Sequence, residues 1–233
     1  LYRNLRAGAE SGMDFSSRWM EDGKNLYTIR TTDIVPVDLN CLLYHLERTL
    51  AKGYILKGDK KMAKTYTEAA ENRGKAINKY LWSDKDNFFM DYILSENRLS
   101  EALTLAGVYP LFCNVATSRQ AKKVESTLRA KFLKAGGVVT TLKHTGQQWD
   151  APNGWAPLQW VTYKGLRNYK CDATASTLQQ RWLETCRKVF AKTGKMLEKY
   201  NVEIQDVTGG GEYSNQTGFG WTNGVYRAME IEE

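Results

Sequence analysis

Histidine is nearly absent from this 233-residue chain: His45 and His144 are the two, with no HExxH run or Cys/His cluster. A catalytic zinc site draws its ligands from such groups and is not expected. The four cysteines, Cys41, Cys113, Cys171 and Cys186, form no CxxC pair and sit mostly among apolar helical neighbours. They read as buried free thiols. No apolar run approaches the roughly 20 residues that cross a bilayer, and the opening Leu1-Tyr2-Arg3-Asn4 does not have the pattern of a secretory signal. Low-complexity tracts, a strict repeat period and a dividing linker are also missing, so one helical domain over residues 1–233 is expected. The formal net charge of +7 comes without a basic block. Lys and Arg are spread along helical stretches and interleaved with Glu and Asp, which argues against a nucleic-acid partner and, with no spanning segment, against a membrane one.

What is present is enough for a folded core: 42% of the residues are hydrophobic and 25% charged. After an acidic opening loop, Pro36 suits a first helical turn, and Leu39, Leu42, Leu43, Leu46 and Leu50 follow at helical spacing. Asp59 suits the cap of a second helix, with Met62, Tyr66, Ala69, Ala70, Ile77 and Tyr80 on one side. Residues 83–100 lose the helical period: Asp84-Lys85-Asp86-Asn87 reads as a turn and Phe88 to Leu94 as an extended segment. A short apolar helix is expected over Tyr109 to Val115. The run Thr117-Ser118-Arg119-Gln120 reads as a capping box for a helix carrying Ala121, Val124, Leu128 and Phe132, ended by Gly136-Gly137. Val138 to Leu142 suits a brief strand. Further helices are expected from Ala156 to Tyr169, from Asp172 through the stripe Ala175, Leu178, Trp182, Cys186 and Val189, over Lys195 to Tyr200, and from near Trp221 to the end. About seven helices joined alternately by short turns and long loops favour antiparallel helical pairs.

The long loops carry the chemistry. Splitting a glycosidic bond needs a proton for the departing oxygen and a base to activate water, and in the inverting geometry the two carboxyls stand roughly 6.5–9.5 Å apart. Asp14, Glu198 and Glu212 are the candidate acids, with Glu10 and Asp150 in reserve. Asp14 follows Gly12-Met13 and precedes Phe15, apolar surroundings that would favour a protonated acid, although the same residue also reads as a cap for a short helix through Trp19. Glu212 follows a run of glycines, which lets the backbone approach a ligand closely. Glu198, taken locally, is indistinguishable from a solvated helical Glu beside Lys199. Composition and spacing supply acids without assigning the base. Trp149, Trp155, Phe219 and Trp221 crowd the same loops beside Asp150, Asn153 and Asn223, a mixture that suits the apolar faces and hydroxyls of a sugar. Trp82, Trp160 and Trp182 lie in or at the ends of helical stripes and read as core. The sequon Asn215-Gln216-Thr217 falls inside this region and is discounted as a glycosylation site.

The stretches Arg6 to Trp19, Gln147 to Pro157, Met196 to Tyr200 and Gly209 to Gly224 together resemble the trehalases, inverting enzymes that split trehalose into two glucoses. The resemblance runs in order from Leu1 to about Met229 and takes in Ile29 to Thr32, Val37 to Asn40, Tyr80 to Trp82 and Pro157 to Trp160. It implies an all-α (α/α)6 toroid, a general acid at Asp14, a general base at Glu198, substrate contacts at Gly12 and Glu212, and pocket walls at Trp149 and Trp155, with no metal and no organic cofactor. Family members occur in periplasm and cytoplasm, and the resemblance points slightly more to the periplasm.

Two departures stand out. Met13 replaces the usual Trp beside the acid, removing a rigid ring and an N–H donor. The chain also resembles only the C-terminal portion of a family member, without the upstream signature Pro-Gly-Gly-Arg-Phe, so about half the toroid, or a reduced version of it, is expected. Such a half would expose an apolar edge, implying self-association or pairing with a missing N-terminal half. Trehalose hydrolysis is therefore set beside two rivals: a sugar-binding or structural fragment without the N-terminal subsite, and a hydrolase of another α-linked glucoside.

Overall fold

The computed structural model describes residues 1–207, 211 and 213–232. Its helices are α1 (Tyr2–Glu10), α2 (Val37–Lys57), α3 (Lys60–Tyr80), α4 (Tyr109–Phe112), α5 (Ser118–Thr127), α6 (Ala156–Asn168), α7 (Asp172–Thr193) and α8 (Gly220–Ile231). Local chemistry sets several of these ends. Gly58 closes α2 in the left-handed region at φ +83°, its N–H donating to Ile55 O while that of Asp59 reaches Tyr54 O, the paired bonds of a Schellman ending. The Asp59 carboxylate then accepts the Met62 N–H at 3.0 Å and starts α3. With so short a join, α2 and α3 fold back on each other and pack extensively. At α5 both halves of the Thr117/Gln120 capping box form.

The centre of the chain is α6, buried on nearly every side and packed against α4, α7 and α8. Ala175, Leu178, Trp182, Cys186 and Val189 of α7 are all buried, as their spacing requires. Gln159, also fully buried, uses its side-chain amide as a peptide surrogate, accepting from Val138 N at 2.9 Å and donating to Val138 O at 2.8 Å. The four cysteines are free and buried. Burial pushes the Cys113 and Cys171 thiols up to about 11 and that of Cys186 to about 12.

Four expectations change. The opening is not loop throughout, since Tyr2–Glu10 forms α1. The segment Lys195–Tyr200 is not a helix: Gly194 ends α7 at φ +67°, and Lys199–Asn201 pairs antiparallel with Asn153–Trp155, Trp155 opposite Lys199. Leu197 and Tyr200 imitate a helical spacing, but Tyr200 packs edge-on to Trp182 at 5.2 Å across the strand. Gly154 is required in this ladder, since a Cβ there would stand 2.4 Å from Val202 Cγ1. Between α5 and α6, α5 runs on as a π-turn over Leu128–Phe132, and the hairpin joins Leu133–Lys134 to Gly137–Val138 rather than spanning Val138 to Leu142. The leucine stripe of α2 is helical but is not core: Leu39, Leu42 and Leu46 are 50%, 46% and 51% exposed. Within the described residues nothing covers that face.

A buried ion network fastens the opening loop to this scaffold. Arg18, with no side-chain exposure, donates to both Asp38 oxygens at 2.7 Å and both Asp91 oxygens at 2.8 Å. Asp38 lies in the first turn of α2, and Asp91 just before the Tyr92–Ile93 strand. Burial opposes ionisation of Asp38, yet the charge and hydrogen bonds of Arg18 outweigh it and hold the carboxyl below its ordinary value. Arg18→Met leaves two buried carboxylates without their cation, so urea unfolding should show a loss of about 3–5 kcal/mol. Because the Asp38 pKa is depressed on folding, its stabilisation is complete above the unfolded value of 3.8 and fades as pH falls below it. The stability gap between the parent chain and Asp38→Asn should therefore hold constant near neutrality and narrow in acid.

Candidate active site

Three segments remote in sequence meet at the site. The first is the loop after α1. Gly12 turns the chain at φ +79°, with open space where a Cβ would stand. Met13 is buried, its carbonyl accepting the Trp19 Nε1–H at 3.0 Å. The Ser16 hydroxyl caps the short 3-10 turn Ser17–Trp19 by accepting from Arg18 N at 3.1 Å, so Asp14 is not the cap. The Asp14 side chain is half-buried and makes no hydrogen bond among the described residues.

The second segment is Gln147 to Trp155. Asp150, fully buried, gathers donors from the loops it joins: the Ser16 and Ser17 hydroxyls at 2.9 Å, Ser17 N–H at 3.0 Å, the Thr141 hydroxyl at 2.9 Å, and the Thr145 hydroxyl. So engaged, it is an anchor and has no access to a reacting group. Gln148 Nε2 donates to the Asp14 carbonyl, and Phe15 O accepts from Trp149 N at 3.1 Å. The Trp149 ring lies flat on Trp155, centroids 3.8 Å apart and planes 2° from parallel. Trp155 is 1% exposed and donates Nε1–H to Gln148 O at 3.0 Å. It lies stacked beneath Trp149, which is itself 5% exposed. Among the described residues the buried Trp149 Nε1 and Gln148 Oε1 have no hydrogen-bond partner.

The third segment carries Glu198, which enters the Lys199–Asn201 strand. Its N–H donates to Gln216 O at 2.9 Å and its carbonyl accepts from Trp221 Nε1 at 3.2 Å, while Thr222 Oγ1 donates to Leu197 O at 2.7 Å. The start of α8 thus holds this segment from behind. The Glu198 carboxylate is buried, accepting from Lys199 Nζ at 2.7 Å on Oε2 and from Tyr213 Oη at 2.9 Å on Oε1. Lys199, also fully buried, keeps its ammonium 5.1 Å from the Trp155 ring and 4.5 Å from the Tyr213 ring.

Tyr213 stands beside Glu198. Burial first, then the hydrogen bond and charge of Glu198, and beyond these the charge of Asp14, push its phenol up to about 12. Of the two carboxylates, Glu198 is the one that Tyr213 contacts directly, at 2.9 Å. Beside this group, on the Met13 and Trp149 side, a cavity of about 480 Å³ is walled by Trp19, Leu39, Leu42, Tyr109 and Leu158. Its size suits a ligand pocket, but its walls are largely apolar and include the uncovered leucines of α2, with neither Asp14 nor Glu198 in its lining.

Asp14, Glu198, Gly12 and Trp149 thus lie in the three segments that meet here, with Trp155 one layer behind. Glu10 stands apart, exposed and paired with Arg6 at 2.8 Å. Glu212 lies outside the described residues. Asn215 is engaged, donating to Lys199 O at 2.7 Å, in keeping with the discounted sequon. The site also depends on residues that sequence patterning passed over: Gln148, Lys199, Tyr213, and Asp150 as an anchor. The acid in Asp150's Ser/Thr-rich setting was the available signal for the last, but no local pattern announces a lysine whose partner is its own neighbour. Among the described residues no cluster of three or more His, Cys, Asp or Glu is placed to hold a metal ion.

The family model described as Trehalase matches residues 1–230. A periplasmic trehalase of Xanthomonas oryzae pv. oryzae is 50% identical over 226 residues, 97% of this chain and 39% of the relative. One from Salmonella paratyphi C is 49% identical over 230 residues, 98% of this chain and 40% of the relative. Among solved structures, the neutral trehalase Nth1 of Saccharomyces cerevisiae superposes with a TM-score of 0.82 at 26% identity, over 99% of this chain and 42% of that one. A mannosylglycerate hydrolase of Thermus thermophilus, 20% identical, shares the fold with a TM-score of 0.69 over 86% of this chain and 48% of its own. The chain therefore spans about two fifths of the length of these curated relatives, and its helical pairs are part of an (α/α)6 toroid.

Asp150→Asn keeps the shape of the anchor but turns an acceptor into a donor facing hydroxyls and an N–H. Urea unfolding should show a loss of about 2–3 kcal/mol. Ser17→Ala, which removes one of several donors, should cost about 1 kcal/mol.

Proposed function

The chain belongs to the trehalase family, and on that premise we propose that it carries the acid and base of an inverting glycoside hydrolase that splits α,α-trehalose into two glucose molecules. Asp14 protonates the oxygen between the two sugars, while Glu198 takes a proton from a water that attacks the opposite face of the anomeric carbon. One displacement inverts the configuration, and the oxocarbenium-like transition state is served by carboxyls alone. Gly12 and Glu212 contact the sugar, and Trp149, supported from beneath by Trp155, offers it an aromatic face. The observation that supports this reading is the buried Glu198 carboxylate held by Lys199 and Tyr213, on a strand whose partner Trp155 is tied through Gln148 to the Asp14 loop. The relatives named as periplasmic trehalases, and the lack of any described helix long and apolar enough to cross a membrane, support a periplasmic location.

The uncovered face of α2 supports a further part of the proposal. Leu39, Leu42 and Leu46 recur at the spacing of a core stripe yet stand about half exposed. Helices equivalent to the remaining length of the relatives complete the toroid against this face, supplying the neighbouring sugar subsite. Since these leucines already lie half in water, Leu42→Ser combined with Leu46→Ser should cost less than about 1 kcal/mol in the isolated chain, well below the 2–5 kcal/mol typical of a buried leucine. The same pair should abolish association with a separately expressed N-terminal portion of a trehalase, read by sedimentation. Self-association of the chain alone would instead make a second copy the occupant.

Trehalose incubated with the chain, followed by proton NMR, should give equimolar α- and β-glucose as first products. No turnover at high protein concentration, with binding retained in calorimetry, would leave a sugar-binding portion of the toroid. Faster cleavage of another α-linked glucoside would trace to Met13 in the wall. Asp14→Asn and Glu198→Gln should each lower turnover at least about 100-fold. Their stabilities should differ: the Asp14 side chain makes no hydrogen bond among the described residues, whereas Glu198→Gln strips a buried lysine of its anion and should cost about 3 kcal/mol in urea unfolding.

A further inference from the structure

We infer that Tyr213 is a positioning residue for Glu198, fixing the orientation of its carboxylate through a hydrogen bond to Oε1; the inference rests on reading Glu198 as the base. The carboxylate of Glu198 is held at both oxygens, by Lys199 Nζ at 2.7 Å on one and by Tyr213 Oη at 2.9 Å on the other. Lys199 alone leaves the group free to turn about its last bond, because an ammonium is a point donor without directional preference. A second donor on the opposite oxygen removes that freedom. Each oxygen keeps a further lone pair, so the clamp orients the carboxylate without closing it to a water.

The tyrosine is placed for this task and not for packing. It is 42% exposed, unlike Tyr200 and Tyr163, which are buried. Its ring covers the Lys199 ammonium at 4.5 Å, with Trp155 at 5.1 Å from the same cation, so the two donors to Glu198 also hold each other. The stretch that follows it is tied back beside Glu198 by Asn215, which donates to Lys199 O at 2.7 Å, and by the bridge between Thr217 and Leu197. Because the phenol is pushed up to about 12, it remains protonated throughout the neutral range and can serve only as a donor toward the carboxylate.

Tyr213→Phe removes the hydroxyl and keeps the ring over Lys199. With trehalose, kcat should fall about 10- to 100-fold, the scale of a misplaced catalytic group, while KM stays within about twofold. In the Glu198→Gln background the same change should lower kcat by less than about twofold, since a residue acting through Glu198 has nothing left to position. A fall in KM and kcat alike, or full additivity, overturns the proposal. A second measurement needs no turnover and so separates this inference from the reading of the chain as an autonomous hydrolase. In chain labelled with 13C at tyrosine Cζ, the Tyr213 signal is the one missing from Tyr213→Phe. Its titration should move down in Glu198→Gln, and by a smaller step in Glu198→Asp, which serves if the glutamine variant does not fold. An unmoved titration overturns the proposal whether or not the chain turns over trehalose.

Discussion

One guanidinium holds the site to the fold. Arg18 is sealed from solvent, and four of its contacts go to two carboxylates, one at the start of α2 and one on the chain returning from the Trp82–Phe89 hairpin. An arginine at this depth is tolerated only with its charge met and its donors satisfied. Meeting those conditions from two directions leaves the loop containing Asp14 almost no freedom. Trp19 adds a ring face 4.2 Å from the guanidinium carbon, and the sulfur of Met13 lies 3.2 Å from Nη1. The residue that departs from the family pattern thus touches the group that fixes the loop. Replacing a ring by a flexible thioether next to the acid changes the wall of the site while its foundation stays in place.

Several helix boundaries were legible because they follow from local chemistry, namely the Asp59 cap, the Thr117/Gln120 box and the α7 stripe, whereas α1, read as part of an opening loop, was not. Periodicity did less well where burial is decided by distant chain. Leu39, Leu42 and Leu46 carry the pattern of a core face, and nothing in the pattern says that the surface they match is supplied elsewhere. Leu197 and Tyr200, three apart, mimic a helical turn, although the pairing of Lys199 with Trp155 makes the segment a strand. For the site, the resemblance located Asp14 and Glu198 while the residues alone could not choose between Glu198 and a solvated surface glutamate. Asp150 looked like a spare acid because its five donors come from segments up to 134 residues away.

The exposed stripe on α2 and the cavity beside Met13 describe one physical situation. Both border the same side of the acid loop, and both are lined by Leu39 and Leu42. Half-exposed leucines in a row, next to an apolar hollow, form an apolar surface of the kind that the proposed completion of the toroid would cover. The contacts that join the Asp14 loop to the Glu198 strand are built within the chain.

The alignment itself is transmitted over very few links. Lys199 faces Trp155 across an antiparallel ladder, Trp155 donates to the carbonyl of Gln148, and Gln148 donates to the carbonyl of Asp14. From Lys199 to Asp14 the path is one strand pairing and two hydrogen bonds, the first buried and the second part-buried. Had Lys195 to Tyr200 formed a helix, Glu198 would have taken its bearing from α7 and its neighbours, and no register would tie it to the tryptophan pair. A strand gives that register, since a ladder fixes which residue stands opposite which. The departure from helical structure at this point in an otherwise helical chain is thus what sets the two carboxyls relative to one another, and Tyr213, reaching over Lys199 to Glu198, closes the arrangement from the solvent side.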